Sequence, residues 1–432
     1  MISENKMIKN SIIEKPDAWV LFVDMNSFFA TCEQQVNYWV CGRPVCVCVY
    51  TGKYGFVIAP SIEAKQRGIK LGMRLNEAVK ICPELVPLET HPQRYREFHI
   101  KVMNVLRKYS EDVIPKSIDE AIVDLSNYKL IYKDPVEVAK KIKAGIKSEV
   151  GDWMKCSIGI APNAFLAKLA CTLKKPDGLV RITPGNIDDV LKNLTLTDLP
   201  GISTGMEKRL LQGDIRTPLE LRHAAPEKLK NACKSIVGLH WHFRLNFREV
   251  DQVNHRYKSM QARRMISKEQ KKSLQTINDL FIGLCLKLES RLVNEGVFCN
   301  NIGFVSTYEN GYKWKDFFKT MHPVQDGMEL MNLIKLHMQS FQDVHKCEPV
   351  INKNMTSMGI TVTGFVPDEM VQFSMFEDNV RKNNLRKVVY NVKDKYGSDK
   401  LMRAIELNDE EVLRDAIGFG SVKDLYSKDL AV

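Results

Sequence analysis

At 432 residues the chain is too long for one ordinary domain and points to roughly two to four. With 44% hydrophobic and 27% charged residues it is not a disordered chain, and no apolar run approaches the ~20 residues of a membrane span. The net charge of +11 suits an anionic partner without naming it.

Residues 1–16 carry Glu4 and Glu14 and lack an apolar h-region, so they read as a flexible polar leader rather than a secretory signal. "AWVLFVD", 18–24, is a buried strand ending in Asp24. "NSFFATCEQQ" then starts a helix with Asn26 or Ser27 as its cap. "RPVCVCVY" and "GFVIA" are strands around the turn "TGKYG", with Cys46 and Cys48 on one strand face. "SIEAKQRGI" and "MRLNEAVKIC" are short helices, and another helix covers 93–110. After the strand "SIDEAIVDL", residues 135–150 repeat Val138, Ile142, Ile146 and Val150 every fourth position, one apolar helical face. "CSIGIA" is a strand and "FLAKLACTLKK" a helix stopped by Pro176. This interleaving through 183 predicts an α/β or split-βαβ core.

Past Thr183 the pattern turns helical, and 258–365 mixes strands ("GFVSTYE", "MGITVTGF") with helices near 271–294 and 325–342. From Pro367 the chain is polar, then helical at 383–396 and 409–417. The eleven cysteines have no CxxC spacing, which argues against zinc and for core thiols in a reducing cytoplasm. Between Val253 and Lys272 stand seven Lys or Arg against one acid, either a solvated linker or a phosphate-contacting strand.

The adjacent acids Asp119 and Glu120 open an apolar strand, where a buried carboxylate is costly unless paired. On a regular strand they face opposite ways, but Pro115 suggests a bend that brings both toward one point. With Asp24 they would form an all-oxygen cluster suited to Mg²⁺ or Mn²⁺. On residue types alone, capping or surface acids are the favoured reading.

"FVDMNSFFATCE", "GFVIAPSIEAKQRG", "SIDEAIVDL", "SIGIAPNAFLAKLA" and "KKPDG" occur in order, and together they resemble the Y-family of translesion DNA polymerases over nearly the whole chain. "GFVIAPSIEAK" and "ATCE" lean toward the UmuC type over the DinB type (DNA polymerase IV). The resemblance implies an α+β right-hand polymerase with a ferredoxin-like palm, small fingers, a helix-hairpin-helix thumb and an α/β little finger. On it the palm spans 17–28 and 93–182, the fingers 29–92, the thumb 183–246, a linker 247–257, the little finger 258–366 and a clamp-binding tail 367–432.

The resemblance also implies the site. Asp24, Asp119 and Glu120, with the Met25 carbonyl, become ligands of two catalytic Mg²⁺ ions, with Mn²⁺ as the other candidate. Phe29 falls on the steric-gate position that excludes a ribose 2′-hydroxyl, with Phe28 beside it, and Lys65 and Lys175 on triphosphate-gripping positions. DinB-type enzymes commonly carry Tyr and Arg where Ile62 and Lys65 stand, so the usual triphosphate contacts are altered. "LPGISTGMEKRL" resembles the family's helix-hairpin-helix, with Gly201, Ser203 and Gly205 at a DNA phosphate. Arg256, Lys258, Arg263 and Arg264 match the linker and first little-finger strand, which lies along the duplex. "QFSMF" resembles a bacterial sliding-clamp peptide anchored by Gln372, Met375 and Phe376.

The function implied is error-prone, template-directed DNA synthesis past damaged bases without proofreading, in the cytoplasm with the nucleoid. Its partners would be primer–template DNA, dNTPs, the sliding clamp and a UmuD-like accessory subunit, with no membrane. Two alternatives stand beside it. A non-catalytic repair scaffold would have lost acidic ligands, and a nucleotidyl cyclase would show a GG[DE]EF-like hairpin, which is absent.

Overall fold

The structure is a computed structural model and describes residues 17–52, 55–251, 258–346, 348–372, 378–397 and 400–403. The described residues fall into two compact units, 17–251 and 258–403.

The first unit runs β1 (Val20–Met25), α1 (Phe28–Val36), β2 (Val45–Cys48), β3 (Val57–Pro60), α2 (Ile62–Gln66), α3 (Leu75–Ile81), β4 (Val86–Glu89) and α4 (Pro92–Arg107). It continues through β5 (Val113–Pro115), β6 (Glu120–Asp124), α5 (Pro135–Gly145), β7 (Cys156–Ala161), α6 (Ala164–Leu173) and β8 (Leu179–Arg181). A five-stranded sheet in the order β5-β6-β1-β7-β8 has β1 at its centre, antiparallel to both neighbours. Alternation along β1 sends Leu21 and Val23 into a core with α4 and α5, and Val20 and Phe22 into a core with α6. Both faces are covered, which is why "AWVLFVD" reads as an unbroken apolar run.

A smaller sheet, β3-β2-β4, closes over its own core of Cys46, Cys48, Val57, Leu75 and Cys82. Cys46 and Cys48 do share one face, with sulfurs 3.9 Å apart. The helical region is α7 (Ile187–Lys192), α8 (Thr204–Gln212), α9 (Pro218–His223), α10 (Pro226–Cys233) and α11 (Val237–Leu245). Leu210, Leu221, Leu229 and Trp241 extend the α6 core into it.

The second unit has β9 (Ser259–Met265), α12 (Leu274–Asn294), β10 (Val297–Tyr308), β11 (Lys313–Val324), α13 (Gly327–His345), β12 (Met355–Pro367) and α14 (Asn379–Tyr396). Its antiparallel sheet, β11-β10-β12-β9, packs one face on α12 and α13 through Leu280, Phe281, Leu288, Phe304 and Ile334. The strand β11 was not apparent from the sequence, because "KWKDFFK" alternates cations with aromatics rather than presenting an apolar run.

The segment after Pro367 is more than a polar tail. Arg386 of α14 bonds Gln325 and Asp326 at 3.1 Å each, and Arg403 bonds the fully buried Glu289 of α12 at 2.6 Å. The backbone N–H of Gly327 also donates to Glu289, at 2.8 Å. The helix therefore docks by its polar face and leaves Leu385 and Val388 exposed. The helix read at 409–417 lies outside the described residues, as does the leader 1–16.

Candidate active site

The β1–β6 register sets Asp24 directly opposite Glu120. Facing residues of an antiparallel pair share a sheet face, so both carboxylates lie on the α6 side, with Phe22 and Ile122 behind them. Asp119 immediately precedes β6. Its carbonyl accepts from the Met25 N–H at 2.9 Å, so the ladder continues one residue beyond the strand. The N–H groups of Lys116 and Ser117 both donate to the Glu120 carbonyl, at 2.8 and 3.2 Å. The expected bend is thus a tight turn at 116–120, with Pro115 ending β5 rather than lying in the bend. Within that turn the Ser117 hydroxyl donates to the Asp119 carboxylate.

Two ammonium groups neutralise part of this negative charge. Lys168 on α6 donates to both oxygens of Glu120, at 2.8 and 2.9 Å, with its charge 5.0 Å from the Phe22 ring centroid. Lys175, just past α6, donates to Asp24 at 2.5 Å. The fold holds both in place. Asn163 caps α6, accepting from the Leu166 N–H at 2.9 Å. The "KKPDG" turn is pinned where Asn26 accepts from the Asp177 N–H at 2.7 Å and Ser157 accepts from Gly178 at 3.2 Å. The α6 helix passes so close to β7 that a Cβ at Gly159 would lie 2.0 Å from the Ala167 carbonyl oxygen.

The electrostatics follow from this crowding. Burial pushes the Asp24 carboxyl up to about 6, with Lys175 opposing and the Glu120 and Asp119 charges adding to the rise. Burial raises Asp119 too, against the Ser117 hydrogen bond and with Glu120 adding to it. Burial disfavours the Lys175 ammonium, but the Asp24 charge and hydrogen bond outweigh it and raise its pKa. Burial and then the Lys175 charge lower Lys65, while Asp24 and Asp119 pull the other way. Asp24, Asp119, Glu120, Lys65 and Lys175 thus form one electrostatic group.

An all-oxygen donor set with surplus negative charge suits a hard divalent cation, and the lysine ammoniums occupy the role of that positive charge here. Among the described residues, no three His, Cys, Asp or Glu side chains are gathered closely enough to enclose one ion as placed. The Met25 N–H is in the ladder and its side chain is in the core.

Phe29 lies on α1, 4% exposed, stacked on Tyr95 of α4 with centroids 4.4 Å apart, and Phe28 is 5.8 Å from it. The Tyr95 hydroxyl donates to buried Glu33 at 2.8 Å, and Arg94 and His91 also hold that carboxylate. Ser27 holds the N-cap position of α1, but neither expected side chain makes a capping bond. Ser27 takes a left-handed conformation without a capping bond, and the Asn26 amide is turned to Ser157 across the sheet at 3.0 Å. Lys168, Tyr95 and Glu33 were missed by sequence reasoning, although Lys168 and Glu33 lie within the quoted motifs "FLAKLA" and "ATCE".

Gly201 adopts φ 90°, a left-handed turn residue against Trp241, with Ser203 and Gly205 at the start of α8. In the second unit Arg263 and Arg264 point to opposite faces of the edge strand β9. Arg263 shares the open sheet face with Lys315 through the register Lys315–Val305–Gly359–Arg263. Lys313 and Lys319 lie on that face too, and nothing in the linker run announced these cations. Lys258 and Gln372 are exposed, whereas Arg256, Met375 and Phe376 lie outside the described residues.

Residues 23–172 match the family described as IMS, impB/mucB/samB. DNA polymerase IV of Pelotomaculum thermopropionicum is 29% identical over 405 residues, covering 92% of this chain and 98% of that one. DNA polymerase IV of Saccharolobus solfataricus is 33% identical over 224 residues, half of this chain and 63% of that one. A solved Y-family DNA polymerase chimera of Dbh and Dpo4 has a TM-score of 0.65 at 23% identity, covering 81% of this chain and 99% of its own. These relatives carry the DNA polymerase IV name rather than the UmuC name toward which two motifs leaned. The chain thus carries an IMS-type domain, is similar over nearly its whole length to a protein named DNA polymerase IV, and shares its fold with a solved Y-family DNA polymerase.

Proposed function

We propose that this chain is an error-prone, template-directed DNA polymerase that copies past damaged bases. The observation that carries the reading is Asp24 facing Glu120 across β1 and β6, with Asp119 beside them and two lysines closing the charge. A repair scaffold that had lost its acidic ligands would not keep all three.

Asp24, Asp119 and Glu120 are the residues that would hold two divalent cations, Mg²⁺ or Mn²⁺, with the Met25 carbonyl as a further donor. When bound, such ions stabilise the attacking and leaving oxygens of a phosphoryl transfer. The chain's own residues do the rest. Lys175 and Lys65 offer positive charge to an incoming triphosphate, and most of the catalysis of such a transfer is positioning and charge stabilisation. Lys168 and Lys175 also offset the mutual repulsion of the carboxylates until a substrate charge arrives. The Phe29 ring, backed by Tyr95, is rigid enough to exclude a 2′-hydroxyl.

Palm, fingers, thumb and little finger keep the residue ranges given above. Gly201, Ser203 and Gly205 meet one DNA phosphate at the start of α8. The cationic open face bearing Arg263, Lys313, Lys315 and Lys319 runs along the duplex, with Arg256 and Lys258 leading into it. Gln372, Met375 and Phe376 would dock on a bacterial sliding clamp, and a UmuD-like subunit is the further partner. No helix among the described residues is long and apolar enough to cross a membrane, and the setting is the cytoplasm and nucleoid.

Primer extension by the purified chain with Mg²⁺ and dNTPs on an undamaged template tests the reading. Extension is expected, and DNA binding without extension would turn the assignment to a scaffold. Phe29→Ala should admit ribonucleotides while deoxynucleotide incorporation falls less. An unchanged preference for dNTPs would place the gate elsewhere.

A further inference from the structure

The second unit contains a cavity of about 600 Å³, between the β10–β11 hairpin, the end of α13 and the loop leading to β12. Tyr308, Tyr312, Trp314 and Phe341 line it, with Glu309 and Glu348 at its rim. The rings brace one another. Tyr308 stacks on Tyr312 with centroids 5.8 Å apart, and Trp314 meets Phe341 edge-on at 5.5 Å. The Tyr308 hydroxyl donates to the Val350 carbonyl at 2.7 Å and fixes the far wall. Tyr312 is 58% exposed, so one aromatic face is open to an arriving group.

The charge of the lining runs against that of the chain. The whole protein carries +11, yet Glu309 and Glu348 line the cavity together with His345, and no lysine or arginine lines it. With Glu309 paired to Lys271, Glu348 is the carboxylate that would repel a phosphate-bearing ligand. The side-chain amides are largely committed to local turns: Asn310 accepts from the Tyr312 N–H, and Asn352 donates to Pro349 and accepts from Asn354. They are poorly placed to read a nucleobase edge. Aromatic faces with carboxylates beside them are the chemistry that holds an organic cation. Glu309 already pairs with Lys271 at 2.6 Å, so an ammonium is accommodated at this rim.

We propose that this cavity is a docking site for an arginine or lysine side chain of a basic peptide in a partner protein. The cation would lie over Tyr312 and pair with Glu348. The volume exceeds one side chain and takes the flanking peptide as well. The site is separate from the catalytic carboxylates and does not depend on the polymerase reading.

The test titrates capped Ala-Arg-Ala, capped Ala-Ala-Ala and dAMP into the full chain, following the indole N–H resonances by NMR with Trp314 assigned through Trp314→Phe. The arginine peptide should move the Trp314 signal saturably, and the alanine peptide should not. Tyr312→Ala and Glu348→Gln should each weaken that binding about threefold or more, and Tyr312→Phe should restore it. Because Tyr312 and Glu348 are exposed, melting temperatures should stay at the wild-type value. Arginine-peptide binding that survives Tyr312→Ala would move the interaction to other acids, such as those at Asp24. A Trp314 shift with dAMP but not with the arginine peptide would make the cavity a nucleotide site and overturn the proposal.

Discussion

Two carboxylate clusters are buried in this molecule, and they are neutralised differently. At β1 and β6 three acids, Asp24, Asp119 and Glu120, are met by two hydrogen-bonded lysines, with Lys65 in the same electrostatic group. On α12 and α13 two acids, Glu289 and Asp326, are met by two arginines, Arg386 and Arg403, and by the backbone N–H of Gly327. The first pairs stay partly open to solvent, with Lys168 and Lys175 side chains 36% and 37% exposed, whereas Glu289 is fully enclosed. Lysine is a single mobile charge, and arginine a planar fork that holds carboxylates in fixed geometry. The two clusters do different work. One rests on partly exposed lysines that an incoming cation can displace, and the other is enclosed and serves as a joint.

The sharpest break between them is catalytic. Asp119→Asn and, separately, Glu120→Gln should abolish nucleotide incorporation while leaving primer–template affinity nearly unchanged. Glu289→Gln should leave extension at the wild-type rate below its melting temperature. Near-normal extension by either active-site variant would remove the distinction.

Stability should show the reverse order. Glu289→Ala leaves the guanidinium of Arg386, 11% exposed, without its buried partner. Breaking a buried pair from one side costs about 3 kcal/mol, which urea unfolding of the full chain will read. Lys168→Ala, acting on a pair with solvent at both ends, should cost less than about 1 kcal/mol.

The pH response sharpens the contrast further. Asp24 titrates in the fold at about 6, above its ordinary 3.8, so its ionisation is penalised by folding. The stability tied to this group is full below the ordinary value and is lost as pH rises through about 6. In metal-free buffer, Asp24→Asn should therefore raise the melting temperature at pH 7.5, and the gain should vanish near pH 4. Mg²⁺ should raise the melting temperature of the parent chain more than that of the variant. Asp326 is opposite in sign. Burial would raise it, but the Glu329 N–H, Arg386 and Arg403 together hold it below the usual range.

Parts of this were legible in the sequence because they depend on neighbours along the chain. The β1 run, the adjacency of Asp119 and Glu120, and the helical face of 135–145 are set by local periodicity. The pairing of Glu120 with Lys168 was not legible, since it requires both the strand register and the crossing of α6. The cap of α1 misled for the same reason, because Asn26 spends its side chain on Ser157, 131 positions away. The basic run was legible only as a count. A count of positive charges does not record that neighbours on a strand face opposite ways, so Arg263 and Arg264 part company. For α14 the polarity pattern misleads, because Asn383, Arg386 and Tyr390 face inward while Leu385 and Val388 stay exposed.

Gly159 sets a spacing standard for the whole site. It has no side chain, yet α6 rests so close that a Cβ placed there would lie 2.3 Å from the Cys171 nitrogen as well as 2.0 Å from the Ala167 oxygen. A single methyl group there would lift the helix and carry Lys168 away from Glu120. Reactions that rely on placement lose on the order of a hundredfold in rate for a shift near 1 Å. The tolerance of this enzyme to mutation is thus narrowest at a residue whose contribution is the absence of atoms. Any scheme that transplants or redesigns its catalytic strands must carry that emptiness along with the acids.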